Sequence, residues 1–430
     1  MEDLNAKRVT VLGLGRFGGG IGVSRWLCQQ GAQVTVVDEA PEQDLAESKA
    51  QLADLPVTFH FGGMPDDLLD RTDLLVISPA VPPRHPLLAQ AQHRGVPVTL
   101  EIRLFIERCP ATILGVTGTK GKSTTAALLA RMLQQKYRTF LGGNVGGSLL
   151  PKLSNMCSAD MVVLELSSFM LEHLRPMRWS PHVAVITMLS QDHADWHGSI
   201  EAYLDAKRNL VRFQTREDFA VLGPPTPVLQ SFEAVTAARI VRYGLDDSPQ
   251  FLLRLPGRHN QLNAQAAFAA AQCMDVTREQ AQLGIAGFTG LPHRMQIVHE
   301  SDGVTWVNDS IATIPEAAIA ANQAFPQGKV IQIVGGYDKK LDWTEMCRQL
   351  TRGCKAVLTI GAIGPRLAEL RRRHGAQVWE CGNLANAVAT ARALAREGDV
   401  VLLSTGTASY DQFKNFEQRG DAFTELARSQ

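Results

Sequence analysis

The chain lacks an excess of either charge. Lys+Arg and Asp+Glu each number 43 in 430 residues, so the formal net charge is zero. This argues against a global basic surface for nucleic acid or anionic lipid, and any phosphate must be held at a local site. No apolar run approaches the roughly 18 residues of a membrane-spanning helix. The seven cysteines (28, 109, 157, 273, 347, 354 and 381) contain no C-x-x-C pair. An odd, unpatterned set reads as reduced, buried thiols. Low-complexity tracts and short solenoid repeats are absent. Residues 1–10 are polar and lead into a strand, so no signal peptide is expected. The expectation is a cytoplasmic protein without nucleic-acid or membrane partners.

What is present is ordinary for a globular protein: 45 % hydrophobic and 20 % charged residues. The length accommodates two to four domains. Short apolar runs at residues 9–12, 34–37 and 74–77 alternate with helical stretches. The pattern resumes at 112–116, 161–164 and 183–187, and again at 304–307, 330–334, 356–360 and 400–403. Such alternation predicts βαβ units and parallel sheets. We read three α/β modules, spanning residues 1–107, 108–294 and 295–430.

Two glycine loops carry chemistry. Gly13-Leu14-Gly15-Arg16-Phe17-Gly18 follows a strand and opens a helix, and Asp38 stands twenty residues after Gly18. The spacing matches a dinucleotide fingerprint. On its own it fits NAD(P), another diphosphate nucleotide, or a tight strand–helix turn. The second loop, Thr117-Gly118-Thr119-Lys120-Gly121-Lys122-Ser123-Thr124, follows the strand at 112–116. A strict G-x-x-x-x-G-K-S would need glycine at 116, where Val116 stands. The mechanics survive the displacement. Backbone N–H groups from Gly118 to Thr124 form an anion nest, Lys122 reaches the β/γ-phosphates, and Ser123 offers a hydroxyl to Mg²⁺. The second module is therefore expected to bind ATP or GTP.

Other residues read two ways. Glu165 ends a strand where ligands collect in open parallel sheets, but it could equally be a helix-start acid. His193 alone is more often structural, and Lys207 lies in a helical stretch where a lysine is ordinarily solvated. Asn260 and Asn263 share one helical face, as capping or as nucleotide-binding amides. Lys339, after Gly335-Gly336, is a cation at a strand end or a surface lysine.

The T-G-T-x-G-K-S run, with its glycine one place off, resembles the Mur ligases and their folylpolyglutamate synthase relatives. Further motifs carry the likeness from residue 9 to residue 420: Glu165-Leu166-Ser167-Ser168-Phe169, Asp192-His193 with Lys207, His259-Asn260-x-x-Asn263, Pro292-His293-Arg294, Asn308-Asp309-Ser310, Gly335-Gly336-x-Asp338-Lys339, and the run Ser409 to Gly420. That last run resembles the glutamate-adding branch. The resemblance implies a Rossmann-like first domain, a central phosphate-loop ATPase-like domain and a Rossmann-like last domain. It implies ATP-dependent addition of D-glutamate to UDP-N-acetylmuramoyl-L-alanine by a monomer, through an acyl-phosphate, for cell-wall peptidoglycan.

By the same resemblance, two Mg²⁺ ions fall to Ser123, Glu165, His193 and a carbamylated Lys207, with Lys122 beside the migrating phosphoryl group. Asn260, Asn263, Arg294 and Asp309 join the phosphate loop around ATP. Gly15, Arg16, Phe17, Gly18, Asp38, Ser78, Pro79, Asn144 and Ser167 face the UDP-sugar. Thr313, Lys339, Ser409 and Phe416 face the amino acid. Two features depart from the pattern: Ile311 stands where the family has lysine, and residues 16–22 are unusually rich in glycine. A sibling ligase adding L-glutamate or another amino acid remains an alternative. So does, in another class, an NAD(P)-dependent oxidoreductase.

Overall fold

The computed structural model describes residues 3–14, 19–190, 194–255, 257–338, 341–375 and 377–429. It contains three sheets. The first holds β1 (Arg8–Leu12), β2 (Gln33–Asp38), β3 (Thr58–Phe61), β4 (Leu74–Ile77) and β5 (Val98–Leu100), in the order β3-β2-β1-β4-β5. The middle sheet holds β6 (Thr112–Thr117), β7 (Thr139–Gly143), β8 (Met161–Glu165), β9 (Val183–Ile186), β10 (Phe219–Leu222) and β11 (Arg239–Arg242), ordered β11-β10-β9-β6-β8-β7. Both are wholly parallel. The third holds β12 (Gln296–Ser301), β13 (Val304–Asn308), β14 (Val330–Gly335), β15 (Cys354–Ile360), β16 (Trp379–Gly382) and β17 (Val400–Leu403), ordered β12-β13-β17-β14-β15-β16.

The third sheet departs from the parallel expectation at one edge, where β12 runs antiparallel to β13. Asp302 (φ 52°) and Gly303 (φ 71°) form the turn between them. Two successive positive φ angles are what a tight hairpin needs, and Asp-Gly supplies them at low cost.

The chain forms two compact units. One comprises Met1–Phe251 and Leu262–Ile285, the other Leu252–Gln261 and Ala286–Gln430. In the first unit a single apolar cluster includes Val36 and Leu75 of the first sheet and Val162 and Leu164 of the middle one. Each fully buried aliphatic side chain of this kind contributes about 1.5–3 kcal/mol. In the other unit Ile331 and Ile333 belong to one cluster while Val330 and Val334 join two others, following the two-residue period of a strand covered on both faces. All seven cysteines are free, but only Cys347 is buried; Cys157 is exposed and the other five are half-buried, against the expectation of buried thiols. Among the described residues no helix is long and apolar enough to cross a membrane.

The glycine-rich stretch after β1 has a packing reason at Gly22. In the helix Gly19–Gln29, a Cβ on Gly22 would lie 2.5 Å from Ser148 Cβ, on a loop of the central module. Ser148 in turn donates to Glu101 Oε1 at 2.6 Å. Alanine improves helix propensity by roughly 1 kcal/mol, but overpacking costs about 1–3 kcal/mol. Gly22→Ala should therefore lower the urea-unfolding free energy by about 1 kcal/mol. Gly19→Ala, with no atom within 4 Å of its added methyl, should not lower it.

Candidate active site

In the middle sheet β6 lies between β8 and β9, and the chain leaves it in both directions. The loop after β6 is thus at the switch point, where open parallel sheets bind ligands. The helix Lys122–Leu133 starts there, with Gly121 as its N-cap at φ 84°. A Cβ on Gly121 would collide with Asn263 Oδ1. The N-cap residue Gly121 has no side chain, and the helix it opens directs its first main-chain N–H groups and positive dipole end toward the loop after β6, the arrangement that binds anions in general. Ser123 is buried, and Thr124 and Lys120 are more open. Lys122 Nζ donates to Thr119 O at 2.9 Å, folded back over the loop.

The loop is held firmly from behind. Thr119 N–H donates to Met188 O at 2.7 Å, and Lys120 N–H to the same carbonyl at 3.2 Å. Thr119 Oγ1 lies 2.7 Å from Tyr203 Oη and accepts from Ser190 N–H at 2.9 Å. Thr125 Oγ1 lies 3.4 Å from Asn263 Oδ1, which places Asn263 beside the start of the helix after the loop.

Glu165, at the end of β8 opposite Val116 of β6, is 1 % exposed. Its Oε1 accepts from Asn144 Nδ2 at 3.2 Å, whereas its Oε2 is buried with no hydrogen-bond partner. A buried carboxylate oxygen left so costs about 1–3 kcal/mol or more. Glu165 at the end of β8 and Ser123 at the helix start after adjacent β6 are both hard-oxygen donors, the type Mg²⁺ takes when substrate phosphate and water complete the shell. The residues present therefore fit the first cation. No group of three or more His, Cys, Asp or Glu residues able to hold a metal occurs among the described residues. Ser167 caps the helix Ser168–Leu174, its Oγ accepting from Met170 N–H at 3.2 Å.

Lys207 is 1 % exposed, and its Nζ donates to Gly118 O at 2.8 Å and Thr117 Oγ1 at 3.3 Å, 4.7 Å from the Tyr203 ring centroid. It is not the solvated helix-face lysine that periodicity suggests. As an ammonium group it donates to the phosphate loop and has no lone pair to offer a cation. His193 lies outside the described residues.

In the first module Asp38 closes the turn after β1. It accepts from Leu14 N–H at 2.9 Å and Ala40 N–H at 3.0 Å. Ser78, after β4, faces Gly13 so closely that a Cβ there would lie 2.8 Å from Ser78 Cβ, and Pro79 follows. These residues share the carboxyl edge of β1, β2 and β4. Gly15, Arg16, Phe17 and Gly18 lie outside the described residues.

In the other unit Asp309 follows β13 and is 5 % exposed. It accepts from Ser404 Oγ at 2.7 Å and Met295 N–H at 3.1 Å, and burial raises its pKa to about 7 against the pull of Arg294. Asn260, in the same unit, is buried. Ser409 is 2 % exposed with its Oγ unpartnered. Thr313 is half-buried, and Phe416 opens the helix Phe416–Arg428, its carbonyl accepting from Ser310 Oγ at 2.8 Å. Lys339 lies outside the described residues. Ile311, in place of the family lysine, is half-buried and donates its N–H to His293 O at 3.1 Å.

Sequence reasoning assigned no role to Arg419. It is 1 % exposed and bonds Ser310 Oγ (2.9 Å), Ser310 O (2.8 Å) and Thr407 O (3.1 Å), tying together the segments after β13 and β17. Burial lowers its pKa to about 10. A signal existed: a cation in the first turn of a helix opposes the helix dipole and needs another reason to be there.

Fold and loop chemistry place the protein among α/β proteins that hold a nucleoside triphosphate on a phosphate loop. Family profiles sharpen this: a Mur ligase MurD-like N-terminal domain matches residues 7–100, a Mur ligase middle domain 116–251, and a Mur ligase glutamate ligase domain 293–406. The chain belongs to the Mur ligase family. It is 38 % identical to the UDP-N-acetylmuramoylalanine–D-glutamate ligase of Roseiflexus sp. (strain RS-1), over 99 % of each chain, and 37 % identical to that of Myxococcus xanthus (strain DK1622), again over 99 % of each. The crystal structure of UDP-N-acetylmuramate-alanine ligase from Thermotoga maritima shares the fold, with a TM-score of 0.63 and 20 % identity over 97 % of this chain and 98 % of that one.

The Asp309 shift has a stability consequence. Its carboxyl moves from the ordinary 3.8 to about 7 on folding. Between those pH values the folded chain keeps a proton that the unfolded chain has lost, so raising pH favours unfolding. Stability from this group falls between pH 4 and 7, by up to roughly 4 kcal/mol, and is flat above. Denaturant unfolding of wild type and Asp309→Asn across that range should show the wild-type midpoint falling relative to the variant's as pH rises.

Proposed function

We propose that this chain is an ATP-dependent, ADP-forming ligase that joins D-glutamate to UDP-N-acetylmuramoyl-L-alanine in peptidoglycan precursor synthesis. The observation that carries this reading is the buried, unpartnered Glu165 oxygen at the end of the strand beside the one that leads into the phosphate loop, in a chain 38 % identical to a D-glutamate-adding relative over nearly its full length. The alanyl carboxylate attacks the γ-phosphate of ATP, ADP leaves, and the amine of glutamate displaces phosphate from the acyl-phosphate.

In this reading residues 1–107 hold the UDP-sugar, 108–294 hold ATP, and 295–430 hold the amino acid. The chain works mainly by positioning and charge neutralisation. The loop Gly118–Thr124 grips the phosphates, and Lys122 swings from Thr119 O to the phosphoryl oxygens. Asn260, Asn263, Arg294 and Asp309 bind the rest of the nucleotide. Ser123 and Glu165 hold one Mg²⁺, and His193 with a carbamylated Lys207 a second; the ions supply charge neutralisation between substrate anions. Residues 15–18, Asp38, Ser78, Pro79, Asn144 and Ser167 orient the UDP-sugar. Thr313, Lys339, Ser409 and Phe416 receive glutamate, and the unpartnered Ser409 hydroxyl supports that assignment. The setting is the cytoplasm and the working form a monomer.

Phosphate release should require ATP, Mg²⁺, UDP-N-acetylmuramoyl-L-alanine and D-glutamate together, with L-glutamate a poor replacement. Steady NAD(P)H turnover without ATP consumption would overturn the reading. Lys207→Ala should abolish ligation with an unchanged circular dichroism spectrum, and a short carboxylate added in solution should restore part of it. Near-normal turnover in that variant would confine Lys207 to bracing Gly118.

A further inference from the structure

The turn after β4 is gripped by two side chains of the central module. Trp196 donates its indole N–H to Ala80 O at 3.0 Å. His173 Nε2 lies 2.8 Å from Val81 O, and because a carbonyl can only accept, the imidazole donates. The two rings meet edge to face, with centroids 6.1 Å apart. We propose that His173 and Trp196 are positioning residues for the UDP-sugar: they fix the turn at residues 78–81 against Leu12 and Gly13, where the first glycine loop begins. The inference rests on the reading that this loop takes the UDP-sugar.

The turn is well built but needs an outside anchor. Val81 N–H bonds Ser78 O at 3.0 Å, Ala80 N–H reaches Ser78 Oγ at 3.4 Å, and Pro79 in second position presets the bend. Ser78 also donates its N–H to Leu12 O at 2.8 Å, which places the start of the turn on the wall of the cradle that begins at Gly13. The carbonyls of its last two residues are taken by side chains of another module. That is a bond pattern for holding a segment at a set distance.

What the clamp is mounted on gives it a function. His173 lies on the helix Ser168–Leu174, which begins three residues after Glu165. The Trp196 ring packs on Phe169 of that helix at 4.5 Å and on His197 at 4.5 Å. His197 Nε2 lies 3.0 Å from Ser168 Oγ, and its ring meets Tyr203 at 5.6 Å. Tyr203 Oη reaches Thr119 of the phosphate loop. Contacts therefore run unbroken from the turn at 78–81 to both the Glu165 strand end and the phosphate loop. A substrate held by its nucleotide at one end and phosphorylated at the other needs that span fixed, because small misplacements of reacting atoms are costly in rate.

The test uses the full chain, with its wild-type turnover on the UDP-sugar established first. An inactive wild type would count against the substrate reading, not against the clamp. Trp196→Phe removes the donor and keeps a ring; His173→Ala removes the other donor, and His173→Gln keeps an N–H within reach. At about 0.5–1.5 kcal/mol for a net hydrogen bond, each deletion should weaken calorimetric UDP-sugar binding and raise its KM roughly 2- to 10-fold. ADP affinity and the KM values for ATP and glutamate should stay within twofold, and His173→Gln should bind the UDP-sugar almost as wild type does. Unchanged UDP-sugar affinity in both deletions would overturn the proposal. So would an equal loss toward all three substrates, since either result makes the clamp a plain packing contact between modules.

Discussion

A buried carboxylate oxygen without a hydrogen-bond partner is the constraint around which the central module is arranged. Glu165 Oε2 is unfavourable in the protein alone, and one Asn144 amide on Oε1 does not offset it. β8 sits directly beside β6, so Glu165 ends its strand next to the one that leads into the phosphate loop, and Ser123 is buried at the helix start that follows. An acid and a helix N-terminus at neighbouring strand ends are together suited to a cation-bound phosphate. The rest of the loop is immobilised by Thr119, Tyr203 and Lys207, so that rigidity comes from behind and openness remains in front.

The sequence-expected sites recur at the same place in each sheet. Asp38 and Glu165 end β2 and β8, Ser78 follows β4, and Asp309 and Ser409 follow β13 and β17. The carboxyl edge of a parallel sheet collects loops whose residues are freed from the ladder, so chemistry accumulates there. Within the third sheet, Arg419 locks two of these loops to each other through three hydrogen bonds. A lysine could not do this, because it lacks the planar fork that reaches a hydroxyl and two carbonyls at once.

The ten strands expected from apolar runs are all present, because each is buried on both faces and reads as a continuous hydrophobic stretch. Those not foreseen are mostly edges: β3, β7, β11, β12 and β16 carry polar or glycine residues since one side meets solvent. The hairpin between β12 and β13 has its mark in the sequence too, in the Asp302-Gly303 pair. The phosphate loop could be read from residue type and position, whereas Glu165 taken alone read equally as a helix-start acid and gained weight only from the loop beside it. Lys207 could not, since its helix period gave a solvated face and only the tertiary fold turns it inward. The same holds for His173 and Trp196, whose partners are main-chain carbonyls more than ninety residues away and leave no mark in the local pattern.

The outer strand of the middle sheet, β11, reads Arg239-Ile240-Val241-Arg242, with Ile240 exposed. Its free side is a template on which another extended chain could assemble. Both ends are blocked by guanidinium groups: Arg239 lies over the Phe219 ring at 5.7 Å, and Arg242 is paired with Glu233 at 2.6 Å. A strand arriving from a second molecule would have to desolvate both charges to gain four residues of pairing. Such an edge disfavours aggregation during synthesis, when the sheet has formed and the last module has yet to fold.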